Sequence, residues 1–231
     1  MRTMNLIVAA ALALAAVPSA ASDAAKGSWD GLVEVKSHRF DDVFLMPGAD
    51  FRPYTKVMLD PVEVAFRKDW MRNMNDSVGV DRRVTQEDAL KILSTVQADT
   101  GDIFREAFTK AGHEVVAAPG EGVLRVRSAV MNLYVNAPDT LTAGRVRTFT
   151  AEAGEATLVL ELRDSLTNAL LARIVDRRVV DRMPGISNSV TNQADFRREA
   201  KSWAGASVKG LDALKAQSPI PAELTPGQKL N

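Results

Sequence analysis

The chain has no cysteine among its 231 residues. That excludes a disulfide framework, a thiol nucleophile, thiolate metal ligands and a lipid-modified cysteine at a processed N-terminus. Histidine is scarce as well, with only His38 and His113. Neither has metal-ligand spacing to another histidine or a carboxylate, and a catalytic zinc normally takes three protein ligands. No metal and no cofactor are expected. Charge of one sign is also lacking, because 29 Lys and Arg balance 29 Asp and Glu. Nucleic-acid binding wants cations clustered on one face, whereas Arg82-Arg83, Arg177-Arg178 and Arg197-Arg198 are doublets interleaved with acids. Nucleic acid is not an expected partner. There is no G-x-S-x-G elbow, no phosphate-binding loop, no dinucleotide-binding glycine set and no HExxH, so no catalytic residue is assigned.

Long apolar runs are absent except at the start. Arg2 precedes the apolar stretch Leu6–Val17, then Pro18, then small residues through Ser22. This is the layout of a cleavable secretory signal peptide over residues 1–22, cut after Ala21 or Ser22. The run is shorter than the roughly 20 apolar residues a membrane span needs. The mature chain is expected to carry no transmembrane segment and to be periplasmic or secreted.

Residues 23–31 are small and polar and read as a flexible lead, 32–215 as a single domain, and 216–231 as a proline-containing tail without helix or sheet. Leu32–Val35 and Val43–Met46 are strand-like, the second stopped by Pro47-Gly48. Lys56–Phe66 alternates on either side of Asp60-Pro61, and a proline there marks a bulge or an edge position. Arg67–Val84 has no clean period and reads as a long connection. Its Trp70, Met71 and Met74 either line a partner groove or tuck against the domain.

Thr85 and Asp88 have capping-box spacing. From Ala89 to Phe108 apolar residues recur at helical intervals, and Gly112 is placed as the left-handed stop. Val123–Val135, Ala156–Arg163 and Leu170–Val179 alternate as strands, with Pro119–Gly122 a turn. Ala194–Lys215 has Phe196, Ala200, Trp203, Ser207, Leu211 and Leu214 three or four apart, an amphipathic helix. The expected fold is an α/β (α+β) sandwich, a mostly antiparallel or mixed sheet with two long amphipathic helices packed on it.

The stretch RDSLTNALLARIVDRR, 163–178, packs six ionisable residues around one turn. Asn168 tolerates a left-handed backbone and Asp164 suits an Asx-turn. Arg163 and Arg173 are placed to meet acids across the hairpin. The hairpin is read as architecture rather than a reaction centre. His113 after Gly112 is accounted for by the helix dipole. Asp41-Asp42 borders a strand, and Glu87-Asp88 opens a helix. Asp50 and Tyr54 are candidates for a binding loop, the alternative being a tyrosine packed over the sheet with its hydroxyl bonded locally. No ligand-binding residue is assigned.

PGADFRPYTKVMLDPVEVAF (47–66), AGEATLVLELRDSLTNALLARIVDRR (153–178) and FRREAKSWAGASVKGLDAL (196–214) resemble the domain-of-unknown-function family DUF3313, described as bacterial envelope lipoproteins. The resemblance covers about residues 30 to 215. It rests on Pro47, Asp50, Tyr54, Asp60-Pro61, the Arg163-Asp164 hairpin and the Trp203-to-Leu211 spacing. It implies a small α/β sandwich of the kind found in envelope assembly proteins, and no activity. The lipidated cysteine of many members is missing here, so tethering is not implied, and Thr167-Asn168 replaces the usual Thr-Gly.

The expected function is a non-catalytic binding or assembly module of the bacterial cell envelope, with another envelope protein as partner. The alternatives are an enzyme with a dispersed site and a self-associating structural envelope protein.

Overall fold

Alternation with a period of two builds three long neighbouring strands, and everything else in the fold is arranged around them. The computed structural model describes residues 28–76, 83–135, 155–179 and 189–230. The predicted leader, and the lead up to residue 27, lie outside these. In chain order the elements are β1 (Ser28–Trp29), β2 (Leu32–Lys36), β3 (Asp42–Leu45), β4 (Lys56–Leu59), β5 (Glu63–Phe66), α1 (Trp70–Asp76), α2 (Gln86–Lys110), β6 (Glu114–Val116), β7 (Val123–Tyr134), β8 (Glu155–Asp164), β9 (Leu170–Val179), α3 (Ser189–Gln217) and β10 (Gln228–Lys229).

The strands form one sheet in the order β1-β2-β3-β9-β8-β7-β4-β6, with β10 also beside β2 and β5 beside β7. It is mixed, as expected. β7, β8 and β9 run antiparallel, while β4 and β5 both run parallel to β7. Asp60-Pro61 is the break between those two short strands, so the proline falls where no ladder donor is needed.

On one face Leu124, Val126, Val130, Leu158, Leu160, Leu162, Ala172 and Ile174 are buried. They pack against Val96, Ile103, Phe104 and Phe108 of α2 and Ala200, Trp203, Val208 and Leu211 of α3 in one apolar core. The architecture is the expected α+β arrangement with two long helices. The Thr85 cap is a full capping box. The α2 C-terminus is a Schellman motif, in which Gly112 at φ +86° lets His113 N donate to Phe108 O and Gly112 N to Thr109 O.

Four expectations about element boundaries are corrected. Residues 67–84 are not simply a connection, because Trp70–Asp76 form α1. Burial of Trp70, stacked on Phe66 at 3.9 Å and donating to Val135 O at 3.0 Å, holds a helix too short to stand on local propensity. The lead is not wholly without structure, since Ser28–Trp29 pair with β2 as β1. α3 begins before Ala194, at Ser189, and runs to Gln217. The tail contributes β10 and buries Ile220, whose N–H donates to Ala49 O at 2.7 Å.

Candidate functional site

The 163–178 hairpin is assembled from local hydrogen bonds. Asp164 Oδ1 accepts from Leu166 N, Thr167 N and Thr167 Oγ1 at 2.7–3.1 Å, and Asn168 sits at φ +58°. Thr167 N–H, foremost among these donors, holds the Asp164 carboxyl below its ordinary range. Its second oxygen accepts the Tyr54 hydroxyl at 3.1 Å. Burial first, and then that bond to a carboxylate, push the phenol up to about 12. Asp50 turns instead to Arg52, which donates Nε and Nη2 to its carboxylate. The two candidates for a binding loop are thus bonded to different partners. Ser165 Oγ bonds both Gly120 N and Gly120 O, tying the hairpin tip to the Pro119–Gly122 turn. Gly122, at φ +67°, is needed there because a Cβ would lie 3.0 Å from Pro53 O.

On the sheet face opposite α2 and α3, charges pair across successive strands. Asp60 accepts Arg125 Nε at 2.9 Å, and Arg127 lies between Asp60, Glu63 and Glu161 at 3.3–3.8 Å. Glu161 takes Arg163 Nε at 2.9 Å and Arg173 Nη2 at 2.8 Å, and Arg173 reaches Asp30 at 2.9 Å. Burial raises the Glu161 carboxyl, but the hydrogen bonds from Arg163 and Arg173 outweigh it and leave the group below its ordinary range.

A second polar group lies inside the helix–sheet layer. Asp176, on the same face as Ile174, is buried. It accepts Trp203 Nε1 at 2.8 Å and Asp41 N at 3.1 Å. Arg178 Nε lies 2.7 Å away without hydrogen-bond alignment. Asp41 in turn caps Arg177 N at 2.9 Å. Partial burial, followed by the charges of Asp41 and Asp176, raises the Asp42 carboxyl. Asp88 belongs to the helix cap, with its carboxylate accepting from Thr85 N and Thr85 Oγ1. His113 Nε2 lies 3.2 Å from Asp212 Oδ1, unaligned for a hydrogen bond, with its ring edge-on to Phe108 at 5.6 Å. His113 and His38 are not brought together with carboxylates as a metal site, and the described residues hold no group of three such ligands. Trp70 and Met74 tuck into a small cluster with Val84 and Ala89, while Met71 is exposed.

The core holds a chamber of about 140 Å³ between the sheet, α3, the β2–β3 loop and the tail. Leu45, Phe108, Val126, Leu160, Ile174 and Leu211 line its depth. At its mouth stand Lys36, His38, Arg39 and Lys229, all exposed. The loop is shaped by Ser37 Oγ, which accepts from Arg39 N at 3.1 Å and Phe40 N at 3.4 Å, so that Phe40 is buried while Arg39 stays outside. Gly227 N donates to Glu34 O at 2.9 Å and brings β10 alongside β2. Ser207, Gly210 and Ala213 present small side chains from α3, which leaves the space open.

A family model for proteins of unknown function, DUF3313, matches residues 20–207. The chain belongs to the DUF3313 family. Among solved structures this family member is similar to the PelC dodecamer from Paraburkholderia phytofirmans, at 12% identity and TM-score 0.40 over 73% of this chain and 95% of that one. It is also similar to protein XCC0632 from Xanthomonas campestris, at 13% identity and TM-score 0.38 over 74% of this chain and 89% of that one. No curated protein matches it. Among the described residues no helix is long and apolar enough to cross a membrane.

Two features of this DUF3313 protein escaped sequence reasoning. Asp176 stands in a run of charges that otherwise reads as solvated, and only its alternation with Ala172 and Ile174 hinted that it points inward. The chamber had no signal in the sequence beyond the small residues of α3.

Proposed function

We propose that the mature chain is an exported, non-catalytic binding or assembly module of the bacterial cell envelope, with another envelope protein as its partner. The observation that carries this reading is the disposition of the ionisable groups. Arg125, Arg127, Arg163 and Arg173 are spent on Asp60, Glu63, Glu161 and Asp30, and Asp176 is spent on Trp203 and the Asp41 backbone. Turnover needs a nucleophile, a base and an orienting group converging on open space. These groups converge on one another and hold strands and helix in register. The leader pattern of residues 1–22 supports export.

The test is expression from the native leader in a Gram-negative host, followed by fractionation, N-terminal sequencing and pull-down from periplasmic extract. The expected result is a mature protein beginning at Ser22 or Asp23 that recovers one envelope protein in constant ratio. Intact precursor in the cytosol, or repeated recovery of free monomer alone at native abundance, overturns the reading.

A further inference from the structure

We propose that the chamber beneath the β2–β3 loop binds a single-chain carboxylate amphiphile, its apolar tail among Leu45, Phe108, Val126 and Leu160 and its carboxylate at Lys36, His38, Arg39 and Lys229. The chamber measures about 140 Å³, and a dry apolar cavity of about 150 Å³ takes a benzene-sized guest. The tail that fits is therefore short, about six to eight carbons with its head outside.

The charge at the mouth sets the sign of that head. The lining contains two lysines, an arginine and a histidine, and no aspartate or glutamate. Among the described residues Lys36, Arg39 and Lys229 form no ion pair, in contrast to the arginines across the opposite sheet face, which are matched to acids. Asp41 and Asp42 follow the loop but stay outside the lining, and Asp41 is committed to Arg177 N. Unmatched cations around an apolar opening attract an anion whose remainder is apolar. A two-chain lipid does not fit the volume. This inference requires neither export nor a protein partner, so a failed pull-down leaves it standing.

Isothermal titration of the full mature chain with sodium octanoate tests it, beside butanoate, octyltrimethylammonium and octanol. One octanoate per chain is expected, bound at least about tenfold more tightly than butanoate, which has less apolar surface to bury. Octyltrimethylammonium, with the same tail and the opposite charge, should bind at least about tenfold more weakly than octanoate. Lys36→Glu with Lys229→Glu should cost octanoate about tenfold or more and leave octanol unchanged, while Ala213→Trp should abolish both by filling the mouth. The comparison of ligands on the wild-type chain decides the matter even where a substitution fails to fold. Absence of saturable octanoate binding, equal affinity for the cationic amphiphile, or retention on phosphatidylglycerol vesicles with no response to octanoate would each overturn the proposal.

Discussion

Trp203 Nε1, on α3, donates to Oδ2 of Asp176, on β9, across 2.8 Å, and both side chains are buried. The bond joins helix to sheet in the middle of an apolar layer, where an unmade partner is expensive. Trp203→Phe keeps most of the packing but removes the hydrogen bond to Oδ2, leaving that oxygen only the unaligned Arg178, with an expected loss of about 1–3 kcal/mol. Asp176→Ala leaves Trp203 Nε1 and Asp41 N without their acceptor and Arg178 without its ion-pair partner, and should cost roughly 2–5 kcal/mol. Urea unfolding followed by circular dichroism measures both. Equal, near-zero losses would show that the pair holds nothing.

Glu161 makes stability sensitive to acid. Its carboxyl is depressed in the folded chain by Arg163 and Arg173 against the opposing effect of burial. A depressed carboxyl contributes stability that is fully present above its unfolded value, 4.5, and is lost as pH falls through the folded value. Stability should therefore decline from about pH 4.5 downward, and Glu161→Gln should flatten that decline. At neutral pH the same substitution should cost about 1.5–3 kcal/mol, the range for hydrogen bonds to charged groups. Urea midpoints measured from pH 7 to pH 3 on both proteins give the comparison.

Tyr54 predicts behaviour at the alkaline end. The chain has two tyrosines, so Tyr134→Phe leaves Tyr54 as the sole phenol. Its absorbance at about 295 nm should then titrate with a midpoint of about 12 rather than 10. Asp164→Asn should lower that midpoint, because the charged acceptor is gone. A phenol whose folded value is raised contributes stability that is present below pH 10 and lost as pH climbs toward 12. A midpoint near 10 in the Tyr134→Phe protein would refute the Tyr54–Asp164 bond.

Ile220 tests the tail. It is 1% exposed, its N–H donates to Ala49 O, and Gly48 N donates to Pro221 O. Ile220→Ala should cost about 2–5 kcal/mol, as for other buried aliphatic truncations. Thermal unfolding reads it, and an unchanged midpoint would mean that the tail is not docked.

Much of this was legible in the chain because it depends on neighbours in sequence. The Thr85 and Asp88 cap, the Gly112 stop, the Asp164 turn with Asn168 left-handed, and the alternation of Leu158, Leu160 and Leu162 are relations spanning a few residues. That Arg173 would meet an acid across the hairpin followed from knowing that the hairpin forms, and the structure supplies Glu161. Trp70 was harder to read, since its helix exists only because Phe66 and Val135 are already in place to receive the ring.

By itself the sequence determined the absence of thiol chemistry, the amphipathic periods and the hairpin, set by composition, local backbone preference and side-chain spacing. Only the tertiary structure decided that Asp176 meets Trp203, 27 residues on, and Asp41, 135 residues away. It alone brought the proline-containing tail beside β2 and opened a cation-rimmed chamber between them. Such contacts depend on strand order and register, which are chosen by summed burial across the whole sheet rather than by any one segment.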